Sequence, residues 1–140
     1  MSDPHIRVIA LAIVRHPKTR CLLVFEGRDS TRDLVYHRPF GGGILFNETA
    51  AAAAEREVQE EIGIIVEPMR MLGVAESFFV ANGVVSHEIA LLVECQFIDE
   101  TMYDRTFFRD VEGNGEHGFW RGLEEDTPLF PKALKEVLQD

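Results

Sequence analysis

Positive charge is scarce in this chain. Fourteen Lys and Arg stand against 24 Asp and Glu, a formal net charge of −10 over 140 residues. A surface of that sign repels a phosphate polymer, so no nucleic-acid partner is expected. An acidic protein still handles phosphates when a divalent cation sits between the two. Long apolar runs are also missing. No stretch approaches the ~20 residues of a membrane helix, so no membrane partner is expected. The N-terminus, MSDPHIRVIA, lacks a basic segment leading into an apolar stretch and a small-residue cleavage site. No signal peptide is read there, and a cytoplasmic location is expected. Cysteine is limited to Cys21 and Cys95, both inside apolar runs, which reads as reduced core thiols. The remainder is ordinary, 46% hydrophobic and 27% charged. The length suits one domain over residues 1–140 with a single core. A homodimer is left open.

The apolar pattern predicts a mixed succession of elements. Residues 6–14 are apolar and β-branched, a buried strand. His16-Pro17 breaks it, and residues 21–25 are read as a second strand folding back as a hairpin. Residues 27–33 read as polar loop, and residues 34–40 as a short edge strand containing a proline. Gly41–Gly43 is expected to be irregular. Residues 49–62 predict a strong helix, Ala-rich and then Glu-rich, stopped by Gly63. Strands follow at 64–66 and 69–80 with a turn at Pro68, then a hairpin turn at Ala81-Asn82-Gly83 and a long strand at 85–97. Residues 99–118 read as mobile loop, and 131–138 as a final helix. Strands on both sides of a helix indicate an α/β sandwich with a mixed sheet.

Residues 42–64 carry the chemistry. Gly42 is followed after five residues by Glu48, and after seven more by Arg56-Glu57-Val58-Gln59-Glu60-Glu61-Ile62-Gly63-Ile64. On a helix, positions i, i+3 and i+4 share a face, so Glu57, Glu60 and Glu61 come together and repel one another. Val58, Ile62 and Ala51 form an adjacent stripe for packing on a sheet. The acidic face therefore begins at the edge of the core, where screening is weak. A hard divalent cation makes such a cluster favourable. Oxygen-only donors, without His or Cys close by in sequence, point to Mg²⁺ or Mn²⁺. Glu57 and Glu61, one turn apart, suit one ion. Glu60 reaches the cluster from the other flank, to bind a second ion or take a proton from water. The glycines let the backbone turn tightly and approach a ligand. Seven fixed identities and two apolar positions together would arise by chance on the order of once in 10⁹ windows.

This segment resembles a complete Nudix box, the signature of Nudix hydrolases, with no fixed position altered. The resemblance implies a Nudix-type α/β/α sandwich with a mixed β-sheet and a loop–helix–loop catalytic motif. It implies hydrolysis of the diphosphate bond in a nucleoside diphosphate linked to another moiety, with small molecules as partners. Glu57, Glu60 and Glu61 become metal ligands, one of them able to act as general base. Arg56 and Glu48 become an ion pair that fixes the helix, and Gly42 and Gly43 give the loop its path against substrate. A non-catalytic nucleotide-binding sensor on the same fold, or a protein–protein interaction module with an acidic helix, is the alternative; loss of box carboxylates would favour the sensor, and all are present.

Outside the box the residues are less specific. Glu88 is either a further ligand, as later acidic residues are in the family, or an exposed strand glutamate. Arg38 is a candidate for phosphate contact. His37 beside it either joins that contact or sits at a strand edge. Phe78 and Phe79 straddle a strand, where core packing is favoured over stacking on a base. Trp120 is core or pocket wall. Phe40, Leu45 and Asn47 depart from the residues most common around the box, all at variable positions that bear on substrate fit. No proline lies between Pro68 and Pro128 and no tyrosine between Tyr36 and Tyr103. Neither the ADP-ribose nor the diadenosine-polyphosphate subgroup pattern is therefore supported.

Overall fold

The computed structural model describes residues 4–138. Its elements are β1 (Ile6–Ile13), β2 (Leu22–Asp29), β3 (Leu34–Arg38), β4 (Gly41–Gly43), α1 (Ala50–Ile62), β5 (Val66–Ala81), β6 (Val84–Phe97), a 3₁₀ turn (Glu100–Asp104), β7 (Phe107–Phe108), β8 (Gly118–Arg121) and α2 (Leu134–Val137). They build two four-stranded sheets, ordered β4-β1-β6-β5 and β3-β2-β8-β7. The first sheet is mixed, because β1 runs parallel to β6 while its other pairings are antiparallel.

Strand alternation divides the core in two. Ala10 and Ala12 on β1, with Val14 just past its end, pack with Ala53, Ala54, Val58 and Ile62 of α1. Ile9, Leu11 and Ile13 face the other way and pack with Leu134 and Leu138 at the C-terminal helix. From Ile9 onward both faces of β1 are buried, which is why residues 9–14 are apolar without alternation. The result is the expected α/β/α sandwich.

Several local expectations are corrected. β1 and β2 do not form a hairpin. Each already has two strand neighbours in its own sheet, so the link between them shrinks to a single bridge, Arg15 with Leu22. Gly27 to Asp29 belong to β2 rather than to loop. Gly41–Gly43 is a strand, not irregular: it pairs with Leu11, Ala10 and Ile9, and a Cβ on Gly41 would collide with the Ala10 carbonyl oxygen. β5 runs unbroken through Pro68, because it is an edge strand where a missing N–H is tolerated, with register shifts at Pro68/Arg70 and Met71/Gly73. Residues 99–118 are pinned by tertiary contacts. The Tyr103 hydroxyl accepts from the Phe97 N–H, and the Trp120 indole donates to the Arg105 carbonyl. The final helix is shorter than read. Cys95 is buried and its thiol is pushed up to about 12, so it is inert at neutral pH.

Candidate active site

Helix α1 carries the site because its ends are well defined. The Thr49 hydroxyl accepts from the Ala52 N–H at 3.0 Å, and Gly63 closes the other end at φ 70°. Between them Val58 and Ile62 anchor one stripe in the core, and that orients the adjacent glutamates.

Arg56 ties the loop to the helix. Its Nε donates to Glu48 Oε2 at 2.8 Å and its Nη2 to Glu48 Oε1 at 2.9 Å, a two-pronged pairing. Nη2 also reaches the Gly43 carbonyl at 3.0 Å, and Nη1 donates to Glu57 Oε1 at 2.9 Å. Glu48 Oε1 takes the Leu45 N–H in addition. Held first by the Arg56 guanidinium and then by that amide, Glu48 is drawn down to about 2, and Arg56 is pushed up in return. Gly42 backs directly onto Glu57: a Cβ there would stand 2.6 Å from its carboxylate carbon. Gly43 has open space where a side chain would be, and only glycine at 42 lets Glu57 lie where it does.

The carboxylates are crowded. Burial, ahead of every other cause, raises Glu57 despite its contact with Arg56. Glu61 is pushed up to about 8, first by burial and then by the charges of Glu57, Glu112 and Glu116. Its Oε2 is buried without a hydrogen-bond partner. Glu60 is the most open of the three, its side chain 48% exposed, with Arg56 Nη1 at 3.3 Å. Among the described residues no group of three donors already converges into a cation cage.

The sequence pattern does not single out Glu112 and Glu116. They sit on a loop folded around Asp110, whose carboxylate accepts the N–H groups of Glu112 (2.7 Å) and Glu116 (3.1 Å). The Val111 N–H closes onto the Glu61 carbonyl at 2.9 Å. The loop thus delivers two more carboxylates to the C-terminal end of α1. The Asp-x-x-Gly-Asn-Gly run, Asp110 to Gly115, is a usable signal for an ordered turn.

The other singled-out residues separate. Glu88 is buried, not an exposed strand glutamate. Arg7 Nη1 bonds its Oε2 at 2.8 Å and Arg38 Nη2 its Oε1 at 3.1 Å. Both oxygens are therefore engaged by guanidinium groups. Arg38 also faces Glu116, whose carboxyl it draws down against the stronger effect of burial. It stands between the acidic cluster and a cavity of about 320 Å³ lined by Tyr36, Arg38, Phe79, Glu88 and Phe130 among others. None of the box glutamates lines that cavity. His37 is buried rather than at the surface, with Nδ1 3.1 Å from Arg121 Nη1. Trp120 is half-buried against the α1-side core. Phe78 is 71% exposed, so it is not core; Phe79 is half-buried and lines the cavity.

Protonation of Glu61 yields a testable consequence. With a folded value of about 8 against a usual 4.5, the folded protein holds a proton between those limits that the unfolded chain has released. Metal-free stability should therefore fall as pH rises from 4.5 to 8. Glu61→Gln should flatten that slope in thermal melts. Saturation with Mg²⁺ at pH 7 should expel about one proton, read by calorimetry in buffers of different ionisation enthalpy. A buffer-independent heat would remove Glu61 from the ligand set.

Comparison with known proteins places this geometry. The NUDIX domain description matches residues 5–130. A MutT NUDIX hydrolase from Burkholderia pseudomallei superposes with a TM-score of 0.68 at 25% identity, covering 96% of each chain. The MutT protein from Methanosarcina mazei Go1 does so at 0.68 and 18% identity, covering 99% of this chain and 94% of its own. A UDP-X diphosphatase shares the fold at 0.66 and 15% identity, over 99% of this chain and 63% of its own. Comparison with curated proteins gives no match. Among the described residues no helix is long and apolar enough to cross a membrane. With the family description spanning the sandwich and every fixed position of the box in place, this chain belongs to the Nudix hydrolase family.

Proposed function

We propose that the chain hydrolyses the diphosphate bond of a nucleoside diphosphate joined to another moiety, using Mg²⁺ or Mn²⁺. The cation would be held by Glu57, Glu60 and Glu61, with Glu112 and Glu116 completing the oxygen set. One observation carries this reading: Glu61 Oε2 is buried and unpartnered amid the charges of Glu57, Glu112 and Glu116. A buried carboxylate oxygen with no donor, on a group that has one backbone hydrogen bond from Gly41 and like charges around it, is unfavourable by itself, and a hard cation satisfies it. A bound cation would neutralise the diphosphate and lower the pKa of water.

The chain's own groups do the rest. Arg56 holds Glu48, Glu57 and the Gly43 carbonyl in one frame, so loop and helix present their ligands together. Glu60, the most open box carboxylate, is placed to take a proton from water. Arg38, set by the buried Glu88, offers its remaining N–H groups to a phosphate oxygen at the cavity mouth. In this role Glu88 positions Arg38 instead of coordinating the cation. Tyr36, Phe79 and Phe130 supply apolar walls for the nucleoside. A UDP-X diphosphatase with this fold accords with a nucleoside diphosphate substrate.

A panel of nucleotide-linked diphosphates, scored by released monophosphate or phosphate, tests the reading. Turnover should vanish in EDTA and return with excess Mg²⁺. Turnover indifferent to chelation would sink the metal-dependent mechanism. Saturable nucleotide binding without turnover would favour the sensor.

A further inference from the structure

The mixed sheet carries apolar side chains on its α1 side beyond the reach of α1. Ladder partners share a face. Ile6 lies beside His87, and His87 beside Phe78; Val8 lies beside Ile89, and Ile89 beside Glu76. Val85 pairs with Val80, and Leu91 with Val74. The Phe78 and His87 rings stack at 4.2 Å, which puts them on one side. Further along β1 on this face, α1 covers Ala10, Ala12 and Val14. Ile6, Val8, Val74, Phe78, Val80 and Val85 stay between 45% and 82% exposed.

Six neighbouring apolar residues this exposed make a patch on the scale of the ~300–600 Å² of the largest patch on an ordinary monomer. That is of the order of the ~800 Å² that each partner contributes to a standard-size interface. Charge points to the occupant. Two copies of a chain carrying −10 repel wherever their acidic surfaces meet. These ladder rows hold a single carboxylate, Glu76, and His87 Nε2 meets it at 3.0 Å. A cationic partner would be drawn to the acidic surface elsewhere. The nearly neutral apolar face is where a second acidic copy approaches with least repulsion. β5 also ends its sheet, so no further strand of the described residues crowds the face on that side.

We propose that this face is a two-fold interface between two copies of this chain. The patch borders the cavity, since Glu76 and Phe78 line both. Sedimentation equilibrium across a concentration series decides it. The wild type should be dimeric at about 10 µM and should tighten as salt screens the net charge. Val85→Glu should weaken association at least about tenfold by placing a charge in the interface. Val84→Glu changes the neighbouring residue, 63% exposed and on the opposite face, and should leave association within about twofold. A wild type monomeric at about 200 µM overturns the proposal, whether or not it binds vesicles or other proteins. So does a Val85→Glu variant that is folded and as dimeric as the wild type. If Val85→Glu fails to fold, Ile6→Glu on the same face takes its place, and a folded variant as dimeric as the wild type overturns the proposal.

Discussion

Glu57→Gln is expected to lower kcat/KM by about 10³-fold or more, the scale for losing a positioned charged group at a reacting phosphate. Its melting temperature should hold or rise. The carboxylate is already raised by burial and by neighbouring negative charge, so neutralising it relieves strain on the fold. Glutamine keeps an oxygen for Arg56 and fits the space that Gly42 leaves. Loss of activity with retained stability therefore separates a working carboxylate from a structural one. Metal titration refines the roles. Mg²⁺ affinity should fall in Glu57→Gln and Glu61→Gln, while Glu60→Gln should lose more in kcat than in affinity for the tightest site. Equal loss of affinity in all three would show that Glu60 is a ligand like the others. Undiminished activity and Mg²⁺ binding in Glu57→Gln would contradict the proposed site.

Arg56→Ala is expected to damage both activity and stability. It removes six contacts at once: two to Glu48, one to Glu57, two to Glu60 and one to the Gly43 carbonyl. Two carboxylates, 15% and 16% exposed, lose their counter-charge, and an unpaired buried charge costs more than its lost bond. Turnover should fall about 100-fold or more, as when a group that orients metal ligands is removed. Arg56→Lys should recover only part of this, because an ammonium cannot make the two-pronged contact. The acid limb of stability should change too. With Glu48 held near 2, the wild-type pair stabilises fully above the usual carboxylate value of 4.5 and is lost as pH falls toward 2. In Arg56→Ala that pH dependence should shrink. Thermal melts across the acid range measure it; identical slopes, with wild-type turnover, would take the pair out of the mechanism.

The family and the acidic helix are legible in the sequence because they rest on local spacing. Glu57, Glu60 and Glu61 share a helix face through the 3.6-residue period, and Thr49 and Gly63 mark its ends without help from elsewhere. The apolar run along β1 likewise announces a strand, buried on both faces from Ile9 onward. The pairing of Glu48 with Arg56 comes from the family resemblance, and the structure shows it as a salt bridge. What the sequence hides depends on contacts between distant segments. Gly41–Gly43 becomes a strand only because β1 offers an edge to pair with. β1 and β2 part company because each finds two other neighbours. Glu88 is buried only because Arg7 and Arg38 arrive from two other strands. Glu112 and Glu116 join the site through a loop shaped by Asp110 and docked on α1 by one backbone hydrogen bond, from the Val111 N–H to the Glu61 carbonyl. No periodic pattern links that loop to the helix. Periodicity reports what one element does with its own neighbours; which carboxylates face a common cation is decided when separate elements are packed together.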